Sequence, residues 1–164
     1  MNLSATEPVV MESPKRQIAW FNVLLRVLVG GAFVAAGALK IANPAKFAAD
    51  VGNYRMLPHE LNDLVAIMLP WIELTAGLLV LGGVWLRAAA GVIASLTVLF
   101  LFVIISALVR GLNIECGCFG TVGGRHIGLV NLVIDATLLT LAALLVARSP
   151  VAPVPKNSGP PPTQ

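Results

Sequence analysis

Apolar side chains run almost unbroken through four stretches of the chain, roughly 18–41, 64–86, 88–109 and 127–147. Each has about the 20 residues that an α-helix needs to cross the hydrocarbon of a bilayer. The third, AAAGVIASLTVLFLFVIISALV, holds no charge at all. Backbone groups in lipid must be satisfied internally, and short links between antiparallel spans make an up-down arrangement. The predicted fold is therefore all-α, an integral membrane up-down four-helix bundle. The termini and the second connection share one face. The first and third connections share the other, here called the cysteine face.

The polar intervals subdivide the chain further. Residues 1–16 read as a polar N-terminal tail, 17–148 as the four-span membrane domain, and 149–164 as a Pro-rich disordered C-terminal tail. Within the first connection, 42–63, Phe47, Val51, Tyr54 and Leu57 recur at three- and four-residue spacing between polar residues. That pattern predicts a short amphipathic helix on the membrane surface, starting near Asn43-Pro44 and ending before Pro58. The second connection is marked by Gly82-Gly83 and Arg87. Ala36-Gly37-Ala38 has the form of a leader-peptide cleavage site, but the first run is too long for a leader and carries Arg26, so cleavage is not expected. No internal repeat of the kind that builds inverted-repeat transporters is visible.

Composition sharpens the class. Hydrophobic residues make up 57% of the chain and charged residues 12%, against about 45–50% and about 25% in soluble domains. The net charge of +3 comes from residues scattered at span ends rather than from a basic run. Nucleic acid is therefore not an expected partner, and the lipid bilayer is.

Three charges fall inside spans: Arg26, Glu73 and Asp135. Ionisable groups at that depth are costly, face the bundle interior and usually pair. Counting about 1.5 Å per residue places all three within roughly 6 Å of one another in depth. An Arg26–Glu73–Asp135 cluster is expected, either as a lock between helices or as a proton-handling or quinone-contacting site. Pro70 and Trp71, just before Glu73, suggest a local kink.

The chain has two cysteines, both in the pentapeptide Cys116-Gly117-Cys118-Phe119-Gly120 of the third connection. Gly117 permits the turn that a bridge between Cys116 and Cys118 requires, and a bridge in so small a ring would be strained and oxidising. Arg110, Arg125, His126 and the start of the fourth span favour a thiolate, while Glu115 opposes it. These residues point to thiol–disulfide exchange. Zinc is the rival reading, with Cys116, Cys118 and His126 joined by His59, but the spacing lacks paired knuckles, and no metal is predicted.

A set of residues spread over 18–147 resembles the MauE branch of the MauE/DoxX membrane proteins. It comprises Leu25-Arg26, Gly37, Lys40, Phe47, Tyr54, Leu57-Pro58, Pro70-Trp71-Ile72-Glu73-Leu74, Gly77-Leu78-Leu79, the cysteine pentapeptide and Asp135. The resemblance implies a four-helix protein of the bacterial inner membrane. It also implies a role in disulfide formation or maturation of a partner, associated in MauE with methylamine utilisation and a thioredoxin-like protein. The redox partner is expected to be a separate thioredoxin-like polypeptide or a client protein with disulfides. No bound cofactor is predicted, and a quinone is the alternative electron acceptor. Lys and Arg are tied between the faces, five (Lys15, Arg16, Arg87, Arg148, Lys156) against five (Lys40, Lys46, Arg55, Arg110, Arg125). Redox logic breaks the tie, with both termini cytoplasmic and the Cys116–Cys118 loop periplasmic or exoplasmic. Two other readings compete: a membrane assembly or anchoring subunit with structural cysteines, and a small-molecule transporter built on the buried charges.

Overall fold

The computed structural model describes residues 14–56, 58–112 and 129–149. The chain forms α1 (Pro14–Ala42), α2 (Pro44–Asn53), α3 (His59–Gly82), α4 (Leu86–Val109) and α5 (Leu129–Arg148). Four of these are long and apolar enough to span a membrane: Trp20–Ala42 of α1, Glu60–Gly82, Leu86–Val109 and Leu129–Arg148. The protein is a multi-pass membrane bundle, as the hydropathy pattern requires.

Helix ends follow local chemistry rather than hydropathy. α1 begins at Pro14, inside the stretch read as polar tail. α2 starts with Asn43 as N-cap and Pro44 in its first turn, as predicted. It turns Phe47 and Asp50 inward and packs on α3. α3 starts at His59, before the predicted 64, because Pro58 is extended and cannot continue a preceding helix. It runs through Pro70 without interruption and stops at Gly82, four residues short of the predicted end. There Gly83 adopts φ +71°, and the Val84 amide donates to the Leu79 carbonyl at 3.1 Å. This is the left-handed cap that glycine makes without a steric penalty. α4 closes in the same way at Gly111, with the Leu112 amide bonded to the Ala107 carbonyl at 3.0 Å.

α1 lies against α3 and α4 against α5, with α3–α4 and α1–α5 contacts closing the ring. The apolar core joins Leu25, Val29 and Phe33 of α1 to Ala76 and Val80, Ala89, Ala90 and Ile93, and Ala142 and Leu145. It fills the half of the bundle nearer the termini.

The α1–α3 contact depends on missing side chains. A Cβ at Gly37 would lie 2.8 Å from the Pro70 carbonyl oxygen and 2.9 Å from the Leu74 nitrogen. One at Gly77 would lie 2.8 Å from both the Gly30 carbonyl oxygen and the Val34 nitrogen. Small residues let membrane helices approach at backbone distance, where dispersion replaces the hydrophobic effect that lipid does not supply. The pairing of Gly30 with Gly77 and Gly37 with Pro70 also shows that the two helices run antiparallel.

Gly77→Ala is expected to destabilise the bundle by about 1–3 kcal/mol, the usual cost of overpacking. The rigid backbone opposite Gly77 cannot yield as a side chain could. Gly31→Ala meets nothing within 4 Å and should be neutral or gain up to about 1 kcal/mol of helix propensity. Thermal melts of the two variants in detergent separate these outcomes.

Candidate functional site: a buried lysine with two carboxylates

The buried residues of α1 fall at Leu25, Val29, Phe33, Ala36 and Lys40. Their spacing of three and four defines one helix face, and that face ends in a charge. Lys40 is 2% exposed and donates to Glu73 Oε1 at 2.5 Å; Glu73 is fully buried. A helical side chain leans toward the N-terminus of its own helix. Lys40 therefore reaches down from the end of α1 to a carboxylate deep in α3, one turn beyond the Gly37–Pro70 contact. Its ammonium also stands 5.1 Å from the Phe47 ring centre and 4.9 Å from that of Phe100, close enough for cation–π attraction.

Asp135 of α5 is 4% exposed and lines one small cavity with Glu73, Thr97 and Phe100. The cavity holds about 20 Å³, the size of a single water. Glu73 Oε2 and Asp135 Oδ2 are both buried without a hydrogen-bond partner. A water between two orphan acceptors would satisfy both. Thr97 turns its hydroxyl to its own helix, donating to the Ile93 carbonyl at 2.8 Å.

The expected Arg26–Glu73–Asp135 cluster is thus corrected in one member. Glu73 and Asp135 do meet, but the cation beside them is Lys40. Arg26 lies about two helical turns away, donating from Nε to the Val80 carbonyl at 3.0 Å and from Nη2 to the Leu81 carbonyl at 2.7 Å. The reason lies in where α3 ends. Its last turn presents the Val80 and Leu81 carbonyls, which no continuing helix takes up, at the level of Arg26, and a cation is favoured at a helix C-terminus. A Cβ at Gly83 would collide with the guanidinium, so the same glycine makes the cap and the room for its arginine. Lys40 was assigned to the cysteine face as an ordinary boundary charge. The signal that places it inside is its register with Phe33 and Ala36.

A larger recess of about 380 Å³ lies on the other side of Lys40, between α2, α3 and α4. Phe47, Tyr54, Phe100 and Phe102 are among its walls, with Asp50 the other charged group at its lining. Phe100 lines both this recess and the carboxylate cavity, and Lys40, at the wall of the recess, bonds Glu73 at the wall of the cavity.

Arg110 sits exposed at the end of α4, where the chain enters the third connection. Cys116, Cys118, Arg125 and His126 lie outside the described residues, as do most of the two tails.

Membrane-length helices closed around an internal lysine–carboxylate set define a multi-pass membrane protein with a buried ionic site. A family model described as "Methylamine utilisation protein MauE" matches residues 18–148. The chain is 32% identical over 134 residues to "Methylamine utilization protein MauE" of Paracoccus denitrificans, spanning 81% of this chain and 72% of that protein. It is 34% identical over 136 residues to the protein of the same description from Methylophilus methylotrophus, spanning 82% and 70%. No solved structure matches. The chain belongs to the MauE family.

Lys40→Met leaves the Glu73 charge buried and unpaired, and should cost about 3–5 kcal/mol. Adding Glu73→Leu should recover most of that loss. Arg26→Met removes a cap without stranding a carboxylate and should cost less. Melting temperatures of the unsubstituted protein, these three variants and Glu73→Leu alone test the pairing; losses that simply add in the Lys40–Glu73 double variant would refute it.

Proposed function

We propose that this chain is a membrane thiol–disulfide exchange protein that assists disulfide formation or maturation of a partner protein, within methylamine utilisation or a pathway of that kind. One observation carries the reading: both cysteines of the chain form a Cys116-Gly117-Cys118 pair in the connection that leaves α4 just after the cationic end residue Arg110. The descriptions of the two relatives support the pathway.

In the exchange, a thiolate of a reduced partner attacks the Cys116–Cys118 disulfide to give a mixed disulfide. The partner's second thiol then displaces it. The partner loses two electrons and two protons and gains a disulfide; Cys116 and Cys118 become thiols. Arg110, Arg125 and His126 favour the thiolate form of the released cysteine.

Burial of Lys40 supports the orientation that redox chemistry needs. With that lysine withdrawn into the bundle, five Lys and Arg remain on the terminal face against four on the other. The termini are then cytoplasmic and the cysteine loop periplasmic, in a bacterial inner membrane.

An assembly or anchoring role is the second reading, favoured by the fact that Lys40 and Glu73 pair without any external group. The two diverge in one experiment. A Cys118→Ala or Cys116→Ala chain should accumulate a mixed disulfide with a separate partner, visible on non-reducing gels and lost on reduction. Replacing both cysteines by serine should abolish partner maturation. Full maturation with the double serine chain would refute exchange and leave the anchoring role. An impermeant thiol reagent applied to cells with a permeabilised outer membrane should label the pair; labelling only after lysis would reverse the orientation.

A further inference from the structure

We infer that the recess between α2, α3 and α4 is a binding site for a lipid-soluble quinone, whose carbonyl oxygen accepts a hydrogen bond from Lys40. This rests on the thiol-exchange reading only for the source of electrons; the site itself is argued from its walls.

Its volume of about 380 Å³ lies within the range of about 300–1,000 Å³ usual for small-molecule sites. Three features narrow the occupant. The first is access: Leu99 and Phe102 line the recess and are exposed on the lipid-facing surface of α4. A ligand would therefore enter from the bilayer, which demands an apolar molecule. The second is shape: Phe47, Tyr54, Phe100 and Phe102 offer ring faces and edges, which suit a planar ring.

The third feature is charge. An ammonium has three N–H donors, and among the described residues Lys40 spends one, on Glu73. The ammonium nitrogen lies 5.1 Å and 4.9 Å from the centres of the Phe47 and Phe100 rings, both of which wall the recess. A deeply buried donor with spare capacity calls for an acceptor on the ligand. An anion would not serve. Lys40 is already matched by Glu73, Lys46 stands 3.7 Å from Asp50, and Asp50 itself lines the recess. A fatty-acid carboxylate or a lipid phosphate would add uncompensated negative charge beside Asp50, Glu73 and Asp135. A neutral, planar, bilayer-soluble molecule with a carbonyl acceptor remains, and a quinone has those properties.

The same molecule completes the electron balance of the exchange. Reoxidation of the Cys116 and Cys118 thiols to a disulfide releases two electrons and two protons, and a quinone takes up two of each on becoming a quinol. Lys40 would stand at the accepting oxygen, and Glu73 with Asp135 behind it forms a polar set through which protons can be replaced.

The test uses the full chain carrying Cys116→Ser and Cys118→Ser, so that binding is read apart from thiol chemistry. Purified into quinone-free lipid nanodiscs, it is titrated with a short-tailed ubiquinone, and contacts are mapped by mass spectrometry after photolysis of the azido analogue. Saturable binding of one quinone per chain is expected, with labels confined to the recess walls at Lys40, 47–56, 65–69 and 99–104. Val103→Trp fills the recess without touching the Lys40–Glu73 pair and should weaken binding by about tenfold or more, equivalent to about 1.4 kcal/mol. Uptake no different from empty nanodiscs, labels scattered over the lipid-facing surface, or displacement of the quinone by oleate would each overturn the inference. If binding fails while Cys118→Ala still traps a partner, only the quinone site falls. If binding holds and no partner is trapped, the exchange reading falls and the site stands.

Discussion

A lysine and a glutamate paired in a nearly dry interior set the terms for the rest of this bundle. Either charge alone inside a membrane carries a heavy desolvation cost, and only close contact offsets it. That contact requires α1 and α3 to lie at backbone distance, which in turn requires glycine at 30, 37 and 77. The helices then have little freedom to slide, because a shift by one turn would strand both charges. Specific register thus comes from an ion pair, and close approach from absent side chains.

The bundle is divided along its length. Toward the termini its interior is alanine, valine, leucine, isoleucine and one phenylalanine, Phe33. Toward the other face it holds Lys40, Glu73 and Asp135, a water-sized cavity and an open aromatic recess. The first half is apolar packing, and the second holds the buried charges and the open space. α2 belongs to the second: Phe47, Val51 and Tyr54 form part of the recess wall, so the short helix in the first connection is a structural part of the site.

Much of this was legible in the sequence. Hydropathy located all four spans, and Asn43-Pro44 located the start of α2. Glu73 and Asp135 enter from the same face at matching depth, and in the fold they line one cavity. Arg26 has a similar depth but other partners: α3 stops at Gly82, and the carbonyls of its last turn take the guanidinium. By sequence Lys40 reads as a boundary charge, because a lysine two residues from the end of a span ordinarily snorkels to the surface. Only the inward register of Leu25, Val29, Phe33 and Ala36 marks it as an interior residue. The recess is not legible there at all, since it needs α2 packed on α3 so that both line one space with α4, a long-range arrangement that no local pattern encodes.

The partners in the central ion pair are separated by 33 positions in the chain, and this bears on how the protein enters a membrane during synthesis. When α1 leaves the ribosome, its lysine has no counterion, and the glutamate that will supply one has yet to be translated. Early release of the first span into lipid is therefore disfavoured, and its residence at the insertion machinery should be prolonged until the third helix arrives. The two would then pass into the bilayer together as a hairpin whose lysine and glutamate are already paired, with the short amphipathic segment between them left at the interface.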